Sequence, residues 1–201
     1  GRTVLRNCAK EPEIGDLAEL LSSMGARIGG AGTGTITVDG VENLEGADHR
    51  VIPDRIETGT YMLAAAATQG SLQLAGTESS QPQALIAKMR AAGASVHEGS
   101  GHIAVSMKGR PRPVSIVTAP HPGFPTDLQA QWMALMSVDE GGSIITENVF
   151  ENRFMFADEL GRMGADIRIE GHHALVKGVG QLPGAPVRCP VVRGGAALVL
   201  A

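Results

Sequence analysis

The strongest constraint on this chain is an internal repeat. Met24-Gly25-Ala26-Arg27-Ile28, Ala92-Gly93-Ala94-Ser95-Val96 and Met163-Gly164-Ala165-Asp166-Ile167 are versions of one segment, and their glycines recur at intervals of about 70 residues. A period of that size marks a supersecondary unit that buries its apolar face against copies of itself. Each glycine follows a stripe of apolar residues three and four apart: Leu17, Leu20, Leu21 and Met24, then Ala84, Leu85 and Met89, then Phe156, Leu160 and Met163. A glycine there predicts a helix that ends on a residue of positive φ. Beyond each comes a short alternating strand, a turn and a second strand, such as Thr35 to Val38, His102 to Val105 or Ala174 to Lys177.

The other half of the unit reads strand, helix, strand. Arg50 to Ile52 leads into a helix from Asp54 to Thr68 and a strand from Ser71 to Leu74. Val114 to Val117 leads into a helix from Asp127 to Val138 and a strand from Ser143 to Thr146. Joined, the halves predict an α/β fold of repeated βαβαββ units, with two intact copies from about 49 to 179. The tail of an earlier copy precedes them. A later copy begins at Val187 and runs into the apolar stretch Ala196 to Leu200. An uncapped apolar helix there leaves carbonyls and an apolar face without partners, so the chain is expected to be a section of a longer protein or to be completed by something else. Boundaries are expected at 46–53, 109–113 and 178–183.

Composition narrows the function. Seventeen Lys and Arg stand against 21 Asp and Glu, a net charge of −4, and the aromatics are four Phe, one Trp and one Tyr. That balance argues against a surface built to track phosphates or stack bases. No apolar run approaches the roughly 18 residues of a membrane span, and no apolar signal-peptide segment follows Gly1-Arg2-Thr3, so a soluble chain with no membrane partner is expected. Cys8 and Cys189 make neither a disulfide framework nor a zinc site, which fits a reducing cytosol.

Three strand-to-helix corners hold the candidate chemistry. Asp54 with Glu57, and Thr126 with Gln129, match the side-chain pairing of a capping box. Ala119-Pro120-His121-Pro122-Gly123-Phe124-Pro125 fixes φ at three prolines and makes a stiff loop. It delivers Asp127 to a helix start, where the dipole favours an ionised carboxylate; the residue serves there as a base or acceptor, or simply complements the dipole. Arg193 precedes Gly194 and Gly195. A cation at a helix N-terminus calls for a shared anion, a carboxylate or phosphate in bidentate contact, unless it is an unpartnered surface arginine. Glu147 to Phe154 is a fourth cluster, read either as a polar site or as a helix start capped by Glu151 with Phe154 in the core. In Lys10-Glu11-Pro12-Glu13, Pro12 at the first helical position favours a structural role. Gly29 to Gly34 joins two strands and reads as a hairpin turn rather than a phosphate loop. His172-His173 reads as a solvated turn, and both cysteines as small buried hydrophobes without an activating neighbour.

Arg50-Val51-Ile52-Pro53-Asp54-Arg55-Ile56-Glu57-Thr58-Gly59-Thr60, the stretch Thr118 to Gln131 containing Pro-His-Pro-Gly-Phe-Pro-Thr-Asp, and Thr146-Glu147-Asn148-Val149-Phe150-Glu151-Asn152-Arg153-Phe154-Met155 resemble the UDP-N-acetylglucosamine enolpyruvyl transferases, in the EPSP synthase-like group. The resemblance covers essentially the whole chain and implies an internal to C-terminal section of such an enzyme. EPSP synthase itself shares the repeat but not these motifs. The implied fold is two inside-out α/β barrel lobes of pseudo-threefold symmetry, incomplete here, with residues 1–50 as the last part of the first lobe and 51–201 as most of the second, its third repeat truncated.

The implied reaction transfers the enolpyruvyl group of phosphoenolpyruvate to the 3-hydroxyl of UDP-N-acetylglucosamine, with no metal and no cofactor. It is the first committed step of cytoplasmic peptidoglycan synthesis, and so of cell-wall biogenesis, cell shape and division. By the same resemblance Asp127 is the catalytic base that contacts the sugar hydroxyl and Arg193 the catalytic arginine that faces phosphoenolpyruvate. Val149, Phe150, Arg153 and Arg55 line the substrate cleft, Val149 on the uridine side. The family usually has Asp where this chain has Val191. The general-acid cysteine loop, an early Lys-Asn pair and the last cleft arginine fall outside these 201 residues, and neither Cys8 nor Cys189 matches that cysteine. The section alone is therefore expected to be inactive and to need the missing part of the same enzyme. A non-catalytic UDP-sugar-binding module or regulatory paralogue, and a bare repeat scaffold, are the competing expectations. All of the enzymatic reading requires Asp127 and Arg193 to face one hollow.

Overall fold

A computed structural model of the chain describes residues 1–189 and 191–201. Its contacts divide it into two units: Gly1–Pro53 with Pro120–Pro122, and Asp54–Ala119 with Gly123–Ala201. In the first, β1 (Arg2–Arg6), α1 (Pro12–Ser23), β2 (Arg27–Gly29) and β3 (Thr35–Asp39) form a helix beside an antiparallel sheet of order β1-β3-β2. Pro12 opens α1, where its missing N–H has no partner to lose. Ile36 is the single buried hydrophobic side chain of this unit among the described residues. Gly30 and Gly32, both of positive φ, make the turn between β2 and β3, as expected of a hairpin.

The second unit contains α2 (Arg55–Ala67), β4 (Ser71–Ala75), α3 (Gln83–Ala92), β5 (Ser95–Gly99), β6 (His102–Ser106), β7 (Ile116–Val117), α4 (Gln129–Met136), β8 (Gly142–Thr146), α5 (Ala157–Arg162), β9 (Asp166–Glu170), β10 (His173–Lys177) and α6 (Val192–Leu200). Its sheets run β4-β6-β5 and β7-β8-β10-β9, so the last strand of each repeat inserts between the other two, as β3 does in the first unit. Register follows from alternation: Val96 opposes Val105, Ile103 opposes Leu74, and Ala174 lies between Ile145 and Ile169. Gly25, Gly93 and Gly164 all take positive φ just beyond their helices, which is the repeat read from sequence.

The second copy is a full βαβαββ unit with β7 parallel to β8. The first is not. Arg50 to Ile52, expected as a strand, has no regular structure and pairs with no strand among the described residues. The strand expected from Val187 is also absent over 187–189, and Pro190 lies outside the described residues. The fold is α/β with a mixed sheet, and among the described residues the sheets do not close into a barrel. Among the described residues no helix is long and apolar enough to cross a membrane.

The helices α2, α4 and α6, which occupy the same place in their repeats, pack on one another, and α4 also contacts β8 and β10. Every residue of α4 is buried, Trp132, Met133 and Met136 completely. Helices thus form the inside of this unit and sheets its outside, where Ile144 and Leu175 remain exposed. Asp54 caps α2 as expected, its Oδ1 accepting from the N–H groups of Ile56 (2.7 Å) and Glu57 (3.1 Å). Gly59, also in α2, provides close approach: a Cβ there would lie 2.5 Å from Leu128 Cδ1 and 2.9 Å from Leu85 Cδ2, both on buried side chains.

Two stability predictions follow from this packing. Gly59→Ala gains helix propensity of about 1 kcal/mol but overfills the contact with Leu85 and Leu128, so a net loss of about 1–2 kcal/mol is expected. Chemical denaturation checks it, and a more stable variant would contradict the contact. Val191, the N-cap of α6, is extended and offers no side-chain acceptor. Val191→Asp is expected to add about 1 kcal/mol by capping, a rise in Tm of roughly 2–4 °C for a chain of this size; an unchanged Tm would count against an uncapped α6.

Candidate active site

Residue 127 is positioned by a loop closed at its base. Thr118 N–H donates to Thr146 O (2.9 Å), which extends the pairing of β7 with β8. Ala119 N–H donates to Phe124 O (3.0 Å), and Thr118 and Phe124 form a parallel bridge. The Phe124 ring meets Trp132 edge-on at 5.6 Å, while the Trp132 indole N–H donates to Val114 O (3.1 Å). The tip, Pro120–Pro122 with a cis His121–Pro122 bond, groups with the first unit, in which His121 N–H donates to Glu11 Oε1 at 3.3 Å.

After Pro125 the chain makes a 3₁₀ turn over Thr126–Leu128 and enters α4. Leu128 is buried, which leaves the Asp127 carboxylate directed outward at 37% exposure. Thr126 does not cap this helix. Its hydroxyl donates instead to Glu147 Oε2 at 2.8 Å, so the capping box expected with Gln129 is not formed.

Two guanidiniums meet Asp127. Arg153 Nη2 donates to Oδ1 at 2.5 Å, and Arg193 Nη2, from the first turn of α6, lies 3.5 Å from Oδ2. The Arg153 guanidinium also lies 4.7 Å from the centre of the Phe150 ring, so a face of the aromatic and a carboxylate fix its plane together. One negative charge against two positive ones leaves a surplus cation beside the N-terminus of α6, an arrangement suited to an anion. Of the two oxygens, Oδ1 is engaged by a short charged hydrogen bond, whereas Oδ2 has only a long contact and can accept from a further donor.

The sequence-derived residues thus gather unevenly around two adjoining clefts. The first, about 440 Å³, is lined by Phe150, Arg153, Met155, Val191 and Arg193 among others. The second, about 490 Å³, is lined by Glu147, Val149, Phe150, Gly171 and His172 with their neighbours. Arg153 and Arg193 line the first cleft and both contact Asp127, which itself lines neither. Arg55 is half-buried at the start of α2 and lines neither cleft.

Glu147 is the residue that the sequence reading underrated, since Glu151 was expected to cap the following turn. The buried Glu147 carboxylate does so instead: Oε1 accepts from the N–H groups of Val149 (2.8 Å) and Phe150 (3.0 Å). It also accepts from the Thr118 hydroxyl at 2.9 Å. Local sequence carries a faint signal for the first two bonds, an acceptor two and three residues before the N–H groups, and none for the threonines far upstream.

Other expectations are corrected. His173 is the first residue of β10, its Nδ1 2.9 Å from Thr146 Oγ1 and its ring tilted 40° against that of His172 with centroids 3.9 Å apart, so only His172 belongs to the turn. Cys8 is half-buried and Cys189 exposed, its thiol donating to Val191 O at 3.3 Å, so neither is the buried hydrophobe expected. Among the described residues no three His, Cys, Asp or Glu side chains converge as a metal site.

Comparisons with known proteins agree with this architecture. The family profile of EPSP synthase (3-phosphoshikimate 1-carboxyvinyltransferase) matches residues 1–201. The UDP-N-acetylglucosamine 1-carboxyvinyltransferase of Magnetococcus marinus is 55% identical over 202 residues, taking in 100% of this chain and 48% of that protein. That of Halorhodospira halophila is 51% identical, again over 100% of this chain and 48% of the relative. The chain therefore spans about half the length of these relatives. Among solved structures, the enolpyruvyl transferase NikO from Streptomyces tendae superimposes with a TM-score of 0.86 at 27% identity, over 100% of this chain and 48% of its own. EPSP synthase from Acinetobacter baumannii gives 0.58 at 20% identity, over 90% and 44%, a likeness of fold alone. The repeat, the inward helices and the whole-length match together establish that this chain belongs to the EPSP synthase (3-phosphoshikimate 1-carboxyvinyltransferase) family.

Proposed function

We propose that this chain carries the sugar-hydroxyl side of the active site of a UDP-N-acetylglucosamine 1-carboxyvinyltransferase. The observation that supports this best is the Asp127 carboxylate set against Arg153 and Arg193, two guanidiniums that line a cleft. In the proposed reaction, Asp127 Oδ2 accepts the proton of the sugar 3-hydroxyl as its oxygen bonds to C2 of phosphoenolpyruvate, and the C2–C3 π electrons take a proton at C3 from the enzyme's general acid. A positioned base contributes roughly 10²–10⁴ in rate. Arg193, 41% exposed and, among the described residues, held by the long contact to Oδ2, has donors to spare for the anionic groups of phosphoenolpyruvate. Phosphate then leaves the tetrahedral adduct with the electrons of its C–O bond, and loss of a C3 proton restores the alkene.

Val149 and Phe150 are assigned to the nucleotide side of the same site, the exposed Phe150 ring offering an apolar face. Arg153 holds Asp127 and helps to balance charge; Arg55 is assigned an outer position in the substrate cleft. In this reading residues 1–50 finish one lobe and 51–201 form most of the next, in an enzyme acting in the cytoplasm on the pathway to peptidoglycan. The proton donor to phosphoenolpyruvate lies on another part of that enzyme, since the exposed Cys189 and half-buried Cys8 sit outside the resemblance for that role.

Calorimetric titration of UDP-N-acetylglucosamine into the 201-residue chain tests the assignment. Binding is expected, and Asp127→Ala is expected to weaken it about tenfold or more, the loss of a charged hydrogen bond. No binding by the unsubstituted chain would contradict the function proposed. Phosphate release from phosphoenolpyruvate with UDP-N-acetylglucosamine is expected to be undetectable, and measurable turnover would contradict a proton donor located elsewhere. Binding that is indifferent to Asp127→Ala would favour a UDP-sugar-binding module, a reading to which the absence of a carboxylate at Val191 lends some weight.

A further inference from the structure

We infer that Glu147 is a positioning residue that sets Asp127 in register with the segment carrying Phe150 and Arg153. The inference rests on the reading of Asp127 given above for its functional meaning, though its geometry stands apart from it. Glu147 is buried yet accepts four hydrogen bonds from two segments. Thr118 and Thr126 bind it from the two ends of the proline-rich loop, on Oε1 at 2.9 Å and Oε2 at 2.8 Å. The N–H groups of Val149 and Phe150 bind Oε1 from the segment that leads to Arg153, at 2.8 and 3.0 Å. The Thr118 hydroxyl oxygen accepts in turn from Asn148 N–H at 2.9 Å, which closes the link between the two segments a second time.

A buried carboxylate costs several kcal/mol of lost hydration unless its lone pairs are filled, and here four donors fill them. That cost is redundant for capping one turn, which Asp or Ser supplies at a surface. It is explained by the junction. Thr126 is the residue before Asp127, and the Val149–Phe150 amides lead directly to Arg153, whose guanidinium lies against Phe150 and bonds to Asp127. The carboxylate therefore fixes both ends of the Asp127–Arg153 ion pair from beneath, while touching neither cleft-facing charge itself.

The test uses the full chain and reads the ion pair directly. In ¹⁵N-labelled protein the Arg153 guanidinium, assigned by Arg153→Lys, is expected to give a slowly exchanging N–H signal because Asp127 holds it. Thr126→Val removes one hydroxyl of the junction and keeps the side-chain volume. It is expected to broaden or abolish that signal and to speed amide exchange at Val149 and Phe150 by about tenfold, the worth of one hydrogen bond to a charged group. Glu147→Ala is expected to do the same more severely. Glu147→Gln is expected to restore both readouts, because its amide oxygen keeps three donors and its NH₂ can donate to Thr126 Oγ1, which turns from donor to acceptor. A structural role alone would lower Tm in all three variants and leave the Arg153 signal of the folded protein intact.

An unchanged signal with unchanged exchange in Thr126→Val overturns the proposal, as does the lack of an Arg153 signal in the unsubstituted chain. UDP-N-acetylglucosamine affinity, measured on the same samples, separates the two ideas. If the unsubstituted chain fails to bind it while Thr126→Val still frees Arg153, the functional reading falls and the positioning role stands. If it binds, Thr126→Val is expected to weaken the affinity about tenfold and Glu147→Gln less than threefold.

Discussion

The structure of the larger unit depends on a helix with no outside. All eight residues of α4 are buried, Gln129 and Gln131 included, so its position is fixed by packing on every side rather than along one stripe. Interiors are packed as densely as organic crystals, and a wholly buried helix can neither rotate nor slide without opening voids. Asp127 stands at the N-terminal end of that helix, one residue from buried Leu128. A carboxylate so close to an immovable element inherits its precision, and the two sheets wall in the helices.

Charge at the site is organised in a chain that runs from interior to solvent. Glu147 is buried and saturated by hydroxyl and amide donors, Asp127 is half-open and meets two guanidiniums, and Arg193 reaches furthest outward. Each successive group has fewer protein partners and more capacity for a ligand. Phe150 contributes differently: it gives the guanidinium of Arg153 a flat, weakly hydrated face, which a lysine in its place could not use in the same way.

The repeat was legible because glycine is the residue that a helix end of positive φ demands, and three such glycines kept their spacing. Strands with an alternating face were legible for the same local reason. What depended on partners far along the chain was not. Arg50 to Ile52 has strand-like side chains, but a strand exists only where a ladder forms, and these residues pair with no strand among the described residues. Thr126 and Gln129 have the spacing of a capping box, yet a buried carboxylate at 147 competes for the hydroxyl and wins through charge. The convergence of Asp127, Arg153 and Arg193 was legible only through likeness to a family, since residues separated by so many positions share no periodicity.

The sealed neck of the proline-rich loop has a mechanical consequence. Because the bridge between Thr118 and Phe124 ties the two arms below the tip, a displacement of the residues between them is absorbed before it reaches the helix start that follows. The neck acts as a strain relief, and residue 127 keeps its place when the tip moves.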